Sequence, residues 1–434
     1  MRWLITVIGL AALCNGIVFW LRRVGLLQRE EYWLAYQRLV ELSRLEGPSW
    51  ERYIEILQFG ASVHTLQGAW WLTKIPKELV WGAVLLVALL RARHALSQPL
   101  VLKLTYGALF TLIAISAADA LLHGRWLETM AGARSFFCWV LAALGVALSS
   151  SGVRRSLTHV LIWVLVVQGL IAPVELTLGL KTYSMNLLGT DYPRIVGTFA
   201  LPVSLGTFTV VVWAMALCWS ALPGRTLRLL TLLVVALLIC NASATAWAAF
   251  ATSAGIHQLN QRTAGQRLAI LVVALPVVLI GWQGLPQLTG RSDIHDSLFG
   301  RALAVQLHAG ATLSPTELLL GHGFGLGTNA YSQLSPRPTA PVTPVDWTAT
   351  HAVGDSMPAS LLWQIGIAGI VLTYGLLLAG IVQNRRDQPI GVALLLASLT
   401  LNITELFPIN LILGLWLATA WPSPPITPAP DARA

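Results

Sequence analysis

The chain has 434 residues, of which 11% are charged and 56% hydrophobic, and its mean hydropathy is +0.68. A water-facing surface needs roughly 25–35% charged residues, so a soluble globular enzyme, a disordered chain and a coiled coil are excluded, and the composition is that of a polytopic membrane protein. The formal net charge of +9 reads as topology, because basic loops stay in the cytoplasm. No basic patch with interleaved aromatics points to nucleic acid.

In chain order, apolar runs long enough to cross a bilayer occupy residues 3–21, 75–91, 99–118, 134–150, 156–180, 196–220, 227–241, 243–257, 267–284, 356–383, 388–403 and 405–421. Residues 227–257 are read as two short spans because of the arginines. Arg91 and Arg93, Arg154 and Arg155, Arg225 and Arg228, Arg262 and Arg267, and Arg385 and Arg386 then fall on every second loop, the pattern of cytoplasmic loops. The expected fold is therefore an all-α polytopic membrane protein of about 12 transmembrane helices with both termini in the cytoplasm. Arg22 and Arg23 oppose the pattern, at the start of a loop (22–74) near the size where charge bias weakens. Residues 1–284 carry spans one to nine with the periplasmic loop 22–74. Residues 285–355 form a large, partly helical periplasmic loop, and 356–421 carry spans ten to twelve. The proline-rich 422–434 is a disordered cytoplasmic tail.

Cys14, Cys138, Cys218 and Cys240 all lie in apolar segments, where the spacing suggests neither a disulfide nor a metal cluster. Trp20, Trp70, Trp71, Trp282 and Trp421 fall where spans meet the interface, as in an aromatic belt. The outer side carries the polar chemistry. Loop 285–355 holds His295, His308, His322 and His351, and the acids nearest the spans, Asp119, Glu175, Asp191 and Glu405, fall at outer ends. Polar groups near membrane depth are costly and usually functional.

Four stretches carry candidate chemistry. Asp191-Tyr-Pro-Arg194-Ile-Val-Gly197-Thr198-Phe199 leads into the sixth span. An arginine at that helix N-terminus opposes the macrodipole, by about 0.3–1 kcal/mol, and an anion shared with free helix N–H groups removes the conflict. Headgroup snorkelling is the simpler alternative. Thr289-Gly-Arg291-Ser292-Asp293 repeats the arrangement, with Ser292 as N-cap and Arg301 further along the expected helix. Ser314-Pro-Thr-Glu317 is a capping box that starts a short helix ending at Gly321. The alternating glycines of Gly321-His322-Gly-Phe-Gly-Leu-Gly327 then allow a close backbone approach. His351-Ala-Val-Gly-Asp355-Ser356-Met-Pro358 leads into the tenth span. There Asp355 or Ser356 can cap the helix, and Asp355 or His351 can serve as general base.

These stretches resemble the bacterial O-antigen polymerase/ligase family of multi-spanning membrane glycosyltransferases over about residues 190–420. Arg194-Ile-Val-Gly-Thr-Phe199 is similar to its arginine-then-Gly-Thr-Phe segment, and Thr289-Gly-Arg291-Ser292 to the opening of its large periplasmic loop. Gly321 to Asn329 is similar to its glycine-rich stretch. Asp355-Ser356, residues 357–365 and Gly366-Ile-Ala-Gly369 match the spacing of a block that in the ligases begins with histidine. Asp355 in that place favours the polymerase branch. The chain also departs from the family at Leu201-Pro202-Val203 and at Asn241-Ala-Ser-Ala-Thr245, which lacks an arginine.

The resemblance implies a GT-C-like bundle in the bacterial inner membrane with its active site on the periplasmic side. It implies an undecaprenyl-diphosphate-linked glycan donor and acceptor, membrane lipid as surroundings, and no metal or cofactor. A chain-length regulator or flippase would be its protein partner. On this view Asp355, His351 and Arg291 are catalytic, and Arg194, Arg291, Arg301, His322, Ser356 and Asp191 bind substrate. An O-antigen ligase, with a lipid A-core acceptor, is the alternative within the family. A secondary transporter is the alternative outside it.

Overall fold

The computed structural model describes residues 5–14, 100–124, 151–178, 184–187, 190–199, 201–263, 265–266, 314–321, 323–325 and 356–420, with isolated positions between 77 and 86 and between 129 and 133. The described part is mostly helical. Its elements are α1 (Leu100–Leu122), α2 (Ser151–Thr177), the two-stranded ribbon β1 (Ser184–Leu187) and β2 (Thr190–Pro193), α3 (Pro202–Trp219), α4 (Gly224–Asn241), α5 (Ala244–Asn260), α6 (Pro315–Leu320), α7 (Met357–Gln383), α8 (Gln388–Thr400) and α9 (Ile409–Ala420). Among the described residues, α1, α2, α3, α4 and α7 are long and apolar enough to cross a membrane, and Ile5–Cys14, α8 and α9 are shorter apolar helices. The expected spans at 75–91, 134–150 and 267–284 lie wholly or largely outside the described residues, as do loop 22–74 and the tail.

The helix α3 is the axis of the bundle. Its sequence, PVSLGTFTVVVWAMALCW, offers no polar stripe, and a helix apolar on all sides belongs in an interior. Accordingly 89% of its apolar window is buried, against 28–39% for the other four long helices. Around it pack α2, α4, α5 and α8. Gly206 permits the closest approach, because a Cβ there would stand 2.7 Å from the Ala246 methyl of α5. Further along, the Trp213 ring meets Phe250 at 4.5 Å, and its indole N–H donates to Thr231 of α4.

The reversal expected within 227–257 is present. Ala242 takes the left-handed conformation (φ 49°, ψ 41°) and closes α4 onto Leu238 O, and the Ser243 hydroxyl caps α5 by accepting from Ala246 N. The contacts fix the directions. The end of α4 meets the start of α3 through Asn241 and Pro202, so these two run antiparallel. The start of α5 meets the same end of α3 at Gly206. The helix α8 returns antiparallel to α5, with Ser253 donating to Pro389 O and Thr400 to Thr245.

One consequence is a separation of charge. Arg154, at the start of α2, contacts Asp387 between α7 and α8 (3.6 Å) and lies over the Trp219 ring at the end of α3 (5.9 Å). Asn260, at the end of α5, donates to Arg385 O and Gln388 Oε1. The loops bearing Arg154/Arg155, Arg225/Arg228, Arg262 and Arg385/Arg386 therefore share one end of the bundle. Glu175, Asp191 and Glu405 lie at the other. Among the described residues Asp387 is the acid that breaks this sidedness. It is buried, and its Oδ2 accepts from Asn384 and, at 3.4 Å, from Thr419. Its backbone carbonyl accepts from the Trp416 indole.

Removing one member of a buried ion pair leaves the other charge uncompensated, at a cost of about 3–5 kcal/mol. Arg154 is partly exposed, so the lower end applies. Arg154→Gln is expected to lower stability by about 3 kcal/mol, and Arg154→Gln/Asp387→Asn together by less than Arg154→Gln alone. Thermal unfolding of the purified protein checks this. A double variant no better than the single one contradicts the pairing.

Candidate functional site

Residues 194–199 and 201, between β2 and α3, are non-helical. Backbone inside a bilayer must find its hydrogen-bond partners within the protein, and here polar side chains of α2 and α4 supply most of them. The Glu175 carboxylate of α2 accepts from Val196 N (2.9 Å) and Gly197 N (3.0 Å). One turn pair earlier on the same helix, Gln168 accepts from Thr198 N (2.8 Å) and donates to the Thr198 hydroxyl (3.0 Å). Gly197 has φ +58°, and a Cβ there would run into the Gln168 amide oxygen, so both conformation and space call for glycine.

Asn241 clamps the same segment from α4. Its side-chain amide donates to Ile195 O (3.1 Å) and Pro202 O (2.6 Å), and its backbone carbonyl accepts from Arg194 Nε (3.0 Å). Ile195 N donates to the neighbouring Cys240 O. Tyr192 adds a bond from its hydroxyl to Ile239 O. Burial first, and the Cys240 thiol second, push this phenol above its usual range, so it stays a neutral donor at working pH.

This geometry corrects the electrostatic reading of Arg194. The helix α3 begins at Pro202, beyond the expected start at 196. Arg194 does not oppose an N-terminal dipole. It donates to the last carbonyl of α4, a helix C-terminus, where a cation is favourable. The N–H groups of Val196, Gly197 and Thr198 are not free to share an anion, because Glu175 and Gln168 already hold them.

The second polar assembly is a break in α7, where the sequence predicts one uninterrupted span over 356–383. At Ile365 (φ −140°) and Gly366 (φ +66°) the backbone leaves helical geometry. The expected capping box forms at Ser314 and Glu317 and starts α6. This helix docks on the break, with the Leu319 carbonyl where a Gly366 Cβ would sit. The glycine-rich segment follows. Gly323 N donates to Trp363 O (3.3 Å), Gly325 N to the Gln364 side chain (3.2 Å), and the Ser116 hydroxyl of α1 to Gln364 O (2.6 Å). Phe324 is fully buried. The close approach that these glycines allow is thus an approach to the protein's own backbone. A Cβ on Gly321 would lie 2.5 Å from Gln364 backbone atoms. Gly369 makes room for the Ile365 side chain, which gives the Gly366-Ile-Ala-Gly369 pattern a structural reason.

Of the expected site residues, Arg194 lies in the clamped segment, partly buried. Asp191 pairs with Asn186 across the ribbon. Ser356 stands at the N-cap position of α7, buried, with Pro358 in the first turn, but its side chain makes no capping bond. Arg291, Arg301, His322, His351 and Asp355 lie outside the described residues. Among the described residues no group of three His, Cys, Asp or Glu could hold a metal ion. Gln168, Asn241, Gln364 and Ser116 were assigned no role from sequence. For the three amides the signal was present, since a lone amide inside an apolar run is costly unless something uses it.

Two substitutions test the assemblies. Asn241→Leu leaves the Ile195 and Pro202 carbonyls without their donor and is expected to cost about 2–3 kcal/mol. Gly366→Ala meets both a positive φ and the Leu319 carbonyl, and is expected to cost at least about 2 kcal/mol and to expose Ser314–Gly325 to protease. Gly375→Ala meets nothing within 4 Å and is expected to be neutral or slightly stabilising. Thermal unfolding and limited proteolysis read all three.

No protein-family model, no curated protein and no solved structure matches this chain.

Proposed function

We propose that this protein is a membrane glycosyltransferase that polymerises lipid-linked polysaccharide repeat units. It transfers a growing glycan from an undecaprenyl-diphosphate carrier to a sugar hydroxyl of a new lipid-linked repeat, at the periplasmic face of a bacterial inner membrane. The observation that carries this reading is one of placement. The Arg194 segment, the glycine-rich segment and the Ser356 start of α7 share the end of the bundle opposite the arginine-bearing loops. That is the end a substrate delivered on the outer leaflet would meet.

Transfer breaks the bond from the anomeric carbon to the diphosphate and forms one to the acceptor oxygen. The leaving diphosphate gains charge, and the acceptor loses a proton. Arg194 and Arg291 stabilise the first change. Asp355, or His351 beside it, takes the proton. Arg301, His322, Asp191 and Ser356 hold the substrates. The Nε tether of Arg194 supports this role, because a guanidinium fixed in advance needs no reorganisation as charge develops. The same chemistry with a lipid A-core acceptor is a ligase, and Asp355 in place of the ligase histidine favours the polymerase.

The break in α7 favours a second reading, a secondary transporter, since discontinuous helices often form transport sites. The carbonyls at this break are filled by Ser116 and Gly323, which weighs toward the transferase.

Deleting the gene separates these readings. A polymerase mutant accumulates single lipid-linked repeats, a ligase mutant unlinked polymer, and a transporter mutant neither. Arg291→Ala is expected to lower polymer formation at least about 100-fold with insertion unchanged, and Arg194→Lys at least about tenfold, because lysine lacks the planar fork. Asp355→Asn is expected to cost at least about 100-fold and Ser356→Ala only a few-fold. Near-normal glycan length in Arg291→Ala, or equal mild effects at 355 and 356, contradicts the assignment.

A further inference from the structure

The arginine-bearing end concentrates exposed positive charge, a feature independent of the glycan reading. Arg155, Arg225, Arg228, Arg262, Arg385 and Arg386 are all exposed there. Among the described residues the acid at this end is Asp387, which is buried and engaged with Arg154. Arg154 is thereby committed to holding α2 against the α7–α8 turn. The six exposed guanidinium groups form a cationic rim that the Arg154–Asp387 and Asn260–Arg385 contacts keep together.

The neighbours of these arginines identify the ligand chemistry. Leu229 and Leu232 stand beside Arg228 on α4, and Val382, in the last turn of α7, precedes Arg385 of the following turn. They are 59%, 66% and 71% exposed, on helices apolar enough to span a membrane. An arginine whose immediate neighbours are exposed aliphatic side chains sits where acyl chain gives way to headgroup. A free phosphate would use only the guanidinium. A phospholipid uses both, its phosphate on the arginine and its acyl chain on the leucines or the valine.

We propose that this rim binds anionic phospholipids, phosphatidylglycerol-like in charge, as a fixed annulus at the arginine-bearing end. Arg225, Arg228, Leu229 and Leu232 on α4, and Val382 at the end of α7 with Arg385 and Arg386 in the turn that follows it, are its two contact sites. Basic positions between membrane helices bind anionic headgroups in this way, each basic group contributing about a fivefold preference near a surface.

The test uses the full chain in phosphatidylcholine vesicles doped with spin-labelled phosphatidylglycerol or, separately, spin-labelled phosphatidylcholine. Both leaflets then present the same lipids, so the direction of insertion does not affect the result. At low salt the protein is expected to immobilise phosphatidylglycerol at least about fivefold in preference to phosphatidylcholine. High salt is expected to bring the ratio toward unity. So is the combined variant Arg225→Gln/Arg228→Gln/Arg385→Gln/Arg386→Gln. A ratio near unity in the unmodified protein overturns the proposal, as does a preference that survives high salt. A preference unchanged in a folded fourfold variant also overturns it. Displacement of the labelled lipid by an equal concentration of glycerol phosphate shows a site for free phosphate and overturns the lipid assignment. If the variant does not fold, the salt series on the unmodified protein decides.

Discussion

Inside a bilayer each backbone N–H and C=O must be satisfied by the protein itself, and much of the polar chemistry in this bundle answers that constraint. Where the described chain leaves helical geometry at the end opposite the arginine-bearing loops, buried side chains supply much of what the helix no longer does. Gln168, Glu175 and Asn241 serve residues 195–202. Ser116 and the glycine-rich segment serve the break in α7. Asn410 serves Thr404 O in the turn between α8 and α9. These irregular segments make that end more than a set of helix tips. They carry loops of defined shape, one of them presenting Arg194.

The bundle therefore has two chemically different ends. One is a rim of arginines organised around the partly exposed Arg154 and its buried partner Asp387. The other is a polar, glycine-dependent surface in which acids and amides hold backbone in place. The glycan-transfer reading draws on that difference. A diphosphate leaving group calls for positive charge held in place, whereas the arginine-bearing end carries six exposed arginines among the described residues. Arg194 meets the requirement through its tether to Asn241 O. Its anchorage on a helix C-terminus makes it stable without an anion, so an anion bound there would gain a preformed partner rather than relieve a strained one.

The parts of this architecture that depend on local chemistry were legible in the sequence. The alternation of arginine pairs separated α4 from α5 where hydropathy alone allowed one long helix. Ser314, Pro315 and Glu317 announced α6 and its start. The core helix α3 was visible as an unbroken apolar run, though its start was placed too early because Ile195 to Phe199 are as apolar as a helix would be. The break in α7 was not legible, since hydropathy does not report backbone conformation and Gly366 lies among residues that suit a continuous span. Nor was the use of Glu175 and Gln168. Their partners lie on another element, and only the fold brings carboxylate and N–H groups together. The same holds for Asp387, whose role depends on an arginine at the start of α2.

The central claim is that the α6–glycine segment and the arginine rim lie on opposite sides of one membrane. Single cysteines at two exposed positions, Thr316→Cys in α6 and Thr263→Cys after α5, in a chain with Cys14, Cys138, Cys218 and Cys240 replaced by alanine, test it with a membrane-impermeant maleimide. The account predicts labelling at 316 in intact cells with a permeable outer membrane, and labelling at 263 only after the inner membrane is opened. Labelling of both positions from the same side would contradict it.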